Sequence, residues 1–150
     1  MKESITKKLL SNAIRQFATQ LSVQPKQTQL IITTDDDSYA TPRYALLNNY
    51  KKVRQIQFND IYNGDTSIFS FAERTALSLL PSDKEKVLEQ NIAKLIINIA
   101  QKNSASASKV QVMIWTSDDK AENLLFHLYV VDEKGKKQDK GKIELSQLLN

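Results

Sequence analysis

The sequence predicts a single α+β domain over residues 1–150, in which one antiparallel β-sheet of about five strands carries helices on one face. Stretches with helical periodicity stand at the N-terminus and in the middle of the chain, and alternating, β-branched stretches come in consecutive groups joined by short turns. Hairpin-linked strands favour an antiparallel sheet over βαβ units. The expected order is α-β-β-β-α-α-β-β, with a last element that is either a strand or a helix.

The first predicted element is an amphipathic helix. Apolar residues recur every four positions from Ile5 to Leu21. Ser4 stands where an N-cap is favoured, and Pro25 cannot continue a helix. We expect this helix to pack on the sheet and to leave its polar side in water.

Three extended runs are predicted next, at 29–34, 41–47 and 53–62. The residues at 35–39 favour a turn, which makes the first two runs a hairpin, and 48–52 form the second turn. Ile56 and Phe58 alternate with polar neighbours, so the third run is expected to bury one face.

Two S-x-x-E capping boxes predict two further helices. Ser70 is followed by Glu73 and Ser82 by Glu85, and Pro81 separates the pairs. The second of these helices is expected to be the central helix of the core, because an apolar stripe runs along it. The stripe comprises Val87, Leu88, Ile92, Leu95, Ile96, Ile99 and Ala100.

The last third of the chain is predicted to add two long strands. A connector of small residues at 103–108 is followed by runs at 110–116 and 123–131 in which apolar residues alternate. The segment 132–142 is expected to be a charged loop, and 143–149 a short strand or a helical turn. This order of elements is similar to the α-β-β-β-α-β-β-α plan of type III secretion chaperones in topology alone, and no residue motif identifies a family.

Composition excludes several kinds of chemistry. The chain has no Cys, which excludes thiol nucleophiles and thiolate metal sites, and its one histidine, His127, cannot form a multi-histidine zinc site. Three glycines supply no dinucleotide or phosphate-binding loop. We expect no cofactor, no metal and no enzymatic activity. Because no export signal or membrane-spanning run is visible, the expected compartment is the cytoplasm.

Two acidic clusters are candidate metal sites. Asp35-Asp36-Asp37 offers carboxylates to Mg²⁺ or Ca²⁺ but lacks the ligand spacing of an EF-hand, so a solvated turn is expected. Asp118-Asp119-Lys120 is similar to part of a nuclease metal site, which would also need an acid on a neighbouring strand. A metal-dependent enzyme that uses these clusters is one alternative function. His127 is expected to be a structural or surface residue of a strand.

The net charge of +4 arises in residues 1–60, where tyrosines are interleaved with cations. We expect a non-catalytic domain that neutralises or chaperones one dedicated partner protein, as an immunity protein or a secretion chaperone does, and whose partner presents an acidic face. The alternative is a nucleic-acid-binding module that uses the basic, tyrosine-rich sheet. A monomer and a homodimer both remain open. The candidate partner-binding residues are Tyr44, Tyr50, Lys51, Lys52 and Arg54.

Overall fold

The computed structural model describes residues 2–34, 42–80 and 84–143, and confirms the predicted α+β class. Six strands form one sheet in the order β3-β2-β1-β4-β5-β6, one strand more than predicted, and all neighbours are antiparallel. The elements are α1 (Lys2–Leu21), β1 (Thr28–Thr34), β2 (Pro42–Asn48), β3 (Lys51–Ile56), α2 (Phe58–Ile61), α3 (Phe71–Ser78), α4 (Lys84–Lys102), β4 (Val110–Thr116), β5 (Leu124–Val131) and β6 (Lys137–Ile143).

The hydrophobic core lies between one face of the sheet, here called the inner face, and the helices α1 and α4. α1 buries Ile5, Leu9, Ala13 and Phe17 of its predicted stripe, and α4 buries Leu88, Ile92, Ile96, Ile99 and Ala100 of its own. The strands contribute every second residue, because successive side chains of a strand point to opposite faces. The buried inner-face residues include Leu30, Ile32, Tyr44, Leu46, Val112, Ile114, Phe126 and Leu128.

The start of α1 differs from the prediction. The helix already includes Lys2, so Ser4 lies in its first turn and is not the N-cap. The Ser4 hydroxyl instead donates a hydrogen bond to the carboxylate of Glu73. The helix ends at Leu21, before Pro25, as predicted.

The predicted third extended run is divided between two elements. β3 ends at Ile56, and Phe58 begins the single helical turn of α2. The backbone N–H of Gln57 donates to Asp60 Oδ2 at 2.8 Å and closes this turn. Ile56 and Phe58 are both buried, as their alternation with polar residues predicts. The alternation does not show that the strand ends between them.

The strand β6 lies where a charged loop was predicted. It pairs with β5 along the edge of the sheet, and its residues 137–140 and 142 are exposed. A charged edge strand carries no apolar alternation to reveal it, and charge there discourages pairing with other chains. Gly135, at φ 81°, donates its N–H to the carbonyl of Asp132 at 2.9 Å and reverses the chain between the two strands.

The first capping box is confirmed. The Ser70 side chain accepts from the N–H of Glu73 at 3.2 Å, and Glu73 Oε1 accepts from the N–H of Ser70 at 2.7 Å. Ser82 and the segments 35–41 and 144–149 lie outside the described residues. Within the parts of the chain that are described, no helix is both long enough and apolar enough to cross a membrane.

Candidate functional site

The face of the sheet opposite α1 and α4, here called the outer face, is the largest candidate surface. Leu47 and Met113 point to this side and are only 5% and 8% exposed, yet neither belongs to the core that the helices share. No helix among residues 2–34, 42–80 and 84–143 packs on it. The outer face is therefore an apolar surface without a covering layer in the described chain.

The centre of the outer face is apolar. In β4 the outward residues Met113 and Trp115 stand between inward Val112, Ile114 and Thr116, so this strand is apolar on both faces. Strands of this kind are typical of sheets that are covered on both sides. The remaining apolar members of the centre are Ile31, Ala45, Leu47, Leu125 and Val131.

Cations border this centre at both edges of the sheet. Lys52 and Arg43 lie on the β3 side, where a hollow of about 250 Å³ opens between them above Ile31. On the β6 side, Lys137 and Lys142 pair with β5 and are exposed. The outer face thus combines an apolar centre with two basic borders.

An acid on the β6 side is already paired. Asp139 Oδ1 lies 2.5 Å from His127 Nε2 and accepts the N–H of Gly141 at 2.7 Å. The Gly141 N–H and then His127 lower the pKa of Asp139 below its usual range. His127 therefore has an orienting carboxylate, which the sequence did not reveal because the partner lies in the segment predicted as a loop.

The ring of Tyr129 contacts two neighbouring side chains. His127 stacks on it with a centroid separation of 5.0 Å, and the Lys137 ammonium lies 5.1 Å from its centroid. His127 precedes Tyr129 by two residues on β5, and Lys137 pairs with Val131, two residues after Tyr129. Burial, and then the nearby Asp139 carboxylate, raise the pKa of the Tyr129 hydroxyl.

Two of the predicted partner-binding residues, Tyr50 and Lys52, lie on the outer side. Tyr50 and Asn49 form the two-residue turn between β2 and β3, with φ of 67° and 51°. Such left-handed turns favour Gly, and a residue with a side chain costs about 1–2 kcal/mol there. The Tyr50 N–H donates to Gln29 Oε1 at 2.8 Å, and its side chain remains 59% exposed.

Tyr44, another of the predicted partner-binding residues, lies on the inner face. It is 2% exposed, and its ring centroid lies 6.1 Å from that of Phe58. Its hydroxyl donates to Glu89 Oε1 at 3.3 Å, and burial together with this carboxylate raises its pKa. Tyr44 therefore belongs to the core and is not accessible to a partner in this structure.

Lys51 and Arg54 point toward the helix side of the edge strand. Arg54 opposes Leu46, whereas Lys52 opposes Leu47, because the ladder between β2 and β3 shifts by one residue at Val53. The Arg54 guanidinium lies 5.9 Å from the centroid of the Phe17 ring. A bulge of this kind sends residues two apart to opposite faces, which composition and spacing could not reveal.

In the second acidic cluster, Asp118-Asp119-Lys120, the Asp118 carboxylate accepts hydrogen bonds from the backbone. The Asp118 oxygens accept N–H groups from Lys120, Glu122 and Asn123 at 2.8, 3.1 and 2.9 Å, and these bonds lower its pKa. Asp119 lies 3.8 Å from the Lys26 ammonium. Among the residues that the structure describes, no three His, Asp or Glu side chains cluster in a way that could hold a metal ion.

The arrangement suits binding by contact over a broad surface. The outer face has the composition of an interface core with a charged rim. The first cluster, Asp35-Asp36-Asp37, lies outside the described residues. The chain matches no protein-family model, no curated protein and no solved structure.

Proposed function

We propose that this chain is a non-catalytic protein-binding domain whose outer face holds one dedicated partner protein. The observation that carries the proposal is an apolar centre between two basic borders, on which no helix of the described chain packs. The complementary partner surface has an apolar middle and acidic margins. Such charge complementarity speeds association and discriminates against other proteins.

The size of the face supports a protein partner. Six strands of about seven residues, spaced ~4.8 Å apart and rising ~3.3 Å per residue, span roughly 650 Å². A standard interface buries about 800 Å² on each partner. Trp115 in the centre and Tyr50 at the margin are of the residue types that contribute most to binding energy.

Hydrogen-bonding groups on this side are incomplete in the described chain. Gln29 Nε2, Trp115 Nε1 and Gln111 Oε1 are buried and have no partner among the described residues. An unpaired buried polar group costs about 1–3 kcal/mol. A partner that lets these side chains rearrange and pair would recover part of that cost.

The charges favour a different protein over a second copy. Stacking two outer faces would bring Lys52 of one copy against lysines of the other. Like charges at an interface cost binding energy. The Tyr129 ring already contacts His127 and Lys137, which leaves it less open to stacking by a nucleic-acid base.

The chain contains its own probe for testing this proposal. Trp115 is the one tryptophan, so its fluorescence reports on the outer face. The partner is captured from the native host with the tagged protein, purified and titrated back. We expect saturable binding with reduced acrylamide quenching of Trp115. Lys52→Glu and Lys142→Glu should each raise Kd about tenfold, whereas Lys94→Glu, exposed on α4, should not.

Three results would contradict the proposal. A captured protein that leaves Trp115 quenching unchanged binds elsewhere on the molecule. Equal weakening by Lys94→Glu would indicate that general charge, and not the outer face, drives binding. Saturable binding of a single-stranded oligonucleotide at low salt, lost steeply as salt rises, would favour the nucleic-acid alternative.

A further inference from the structure

A second open cavity, here called the α1 groove, lies on the helix side of the molecule. It has a volume of about 440 Å³, within the range of roughly 300–1,000 Å³ of small-molecule sites. One wall is α1 and the other is the turn between β4 and β5, with Ile68 and Ala121 as its apolar lining. The α1 wall consists of Ser4, Lys7, Lys8, Ser11 and Arg15.

These five α1 residues form one polar stripe, because residues three and four apart lie on the same side of a helix. Lys8 is neutralised by Glu73, whose Oε1 lies 2.5 Å from its ammonium. Lys7 has no ion-pair partner within the described chain, and Arg15 bonds only to a neutral carbonyl there. Among the lining residues that the structure describes, Glu122 is the one acid, so these residues carry a surplus of positive charge.

Ser11 adds an unused donor between these cations. It stands four residues after Lys7 and four before Arg15, and it is only 6% exposed. Its hydroxyl makes no hydrogen bond with any residue that the structure describes, although it lines the groove. Ser11 is largely buried as a residue, but its hydroxyl opens onto the groove and remains available to donate to a ligand or to water.

The opposite wall is held rigid. Asp118 accepts three backbone N–H groups of the β4–β5 turn, and Arg15 Nη1 donates to the carbonyl of Lys120 at 3.0 Å. Ala121, fully buried in this turn, has a φ of 56°. A residue with a side chain is rarely found in this conformation, and such strain is concentrated at functional sites. The turn therefore fixes the Arg15 guanidinium at the mouth of the groove.

We propose that the α1 groove binds a small phosphate ester. Lys7 and Arg15 outweigh the single carboxylate of Glu122 among the described lining residues, so the groove attracts an anion, and the guanidinium, ammonium and Ser11 hydroxyl all supply donors to phosphate oxygens. Ile68 and Ala121 would contact the organic part of the ester. This inference is independent of the protein-binding proposal, since the groove and the outer face lie on opposite sides of the sheet.

Phenyl phosphate, which joins a phosphate to an apolar ring, is a suitable probe. Its titration into ¹⁵N-labelled protein is expected to produce saturable shifts at the amides of residues 7–15 and 120–122. Lys7→Gln and Arg15→Gln should each raise Kd about tenfold, as the loss of one charged donor does. Ser11→Ala should weaken binding without harm to the helix, because Ala is the best helix former.

The controls distinguish specific binding in the α1 groove from non-specific attraction of phosphate to a basic protein. Lys52→Gln removes the same charge as Lys7→Gln on the far side of the sheet and should leave Kd unchanged. Phenol should give no saturable shifts in the groove. The proposal is overturned if phenyl phosphate shifts no groove amide, or if Lys52→Gln weakens binding as much as Lys7→Gln does. Circular dichroism establishes that each variant is folded.

Discussion

The N–H of Tyr50 donates to the side-chain carbonyl of Gln29 at 2.8 Å, which ties the turn between β2 and β3 to the centre of the sheet. The neighbouring N–H of Asn49 donates to the carbonyl of Gln27 at 2.8 Å, so the turn is held at two points. These bonds hold an exposed tyrosine in a left-handed conformation in which Gly is favoured. A strained and exposed aromatic residue is consistent with a role in binding.

The first prediction separates that role from stability. Tyr50→Gly should raise the free energy of unfolding by about 1 kcal/mol, because the turn then has a residue without Cβ strain. The same change should weaken binding of the partner. Urea unfolding measures the stability, and titration of the purified partner, followed by Trp115 fluorescence, measures the affinity.

Tyr50→Ala is the matched control for this prediction. It removes the ring, so it should weaken binding of the partner. Because it keeps a Cβ at a φ of 67°, it should not raise the free energy of unfolding. If Tyr50→Gly left the affinity for the partner unchanged, the ring would play no part in the interface.

The second prediction concerns acid stability. Glu73 is 3% exposed; burial alone would raise its pKa, but hydrogen bonds from Lys8, Ser4 and Ser70 lower it from 4.5 to about 2. A carboxyl whose pKa is lower in the folded state stabilises the fold above its unfolded pKa. This contribution, about 1–2 kcal/mol, should be lost as the pH falls from 4.5 toward 2.

Unfolding in urea at pH 7 and at pH 3 tests this expectation. Glu73→Gln should destabilise the protein at pH 7 and should reduce the loss of stability between the two pH values. Glu133→Gln, at an exposed position, is the control and should keep the full pH dependence. An unchanged pH dependence in Glu73→Gln would show that other carboxyl groups control acid unfolding.

Much of the fold could be predicted because its signals are local. The stripes of α1 and α4, the capping box at Ser70 and the alternation in β4 and β5 each depend on residues within a few positions of one another. The charged edge strand β6 has no such pattern, since residues 137–140 are all exposed and the apolar residue that packs against the core, Ile143, stands at its end. β6 is a strand because it pairs with β5, and patterns among neighbouring residues in the sequence do not predict that pairing.

The candidate surface was harder to predict than the fold. Tyr44 and Lys52 were grouped by composition, yet the pleat sends Tyr44 into the core, and the bulge at Val53 separates Lys52 from Arg54. One usable signal was missed: Met113 and Trp115 stand between the inward residues of β4. A strand apolar on both faces indicates that the second face also needs a cover.

The third prediction concerns the turn between β4 and β5. Asp118→Ala removes the acceptor of three backbone N–H groups and should lower the melting temperature clearly. Asp119→Ala is the matched control, since it breaks only a surface ion pair at 3.8 Å and should have little effect. Thermal unfolding followed by circular dichroism compares the two. Equal melting temperatures would mean that the turn is held without Asp118.

The fourth prediction uses two adjacent residues of β5 that point to opposite faces. Phe126 is 5% exposed in the core, so Phe126→Ala should destabilise the protein by about 3–5 kcal/mol. Leu125 is half-buried on the outer face and opposes Trp115, so Leu125→Ala should cost about 1 kcal/mol or less.

Binding should respond differently in Leu125→Ala. Because its side chain lies beside Trp115, the variant should bind the partner less tightly while it remains folded. Urea unfolding gives the stability, and the Trp115 titration gives Kd. If Leu125→Ala cost as much stability as Phe126→Ala, the outer face would already be packed as a core. The place for a partner would then have to be sought on another side of the sheet.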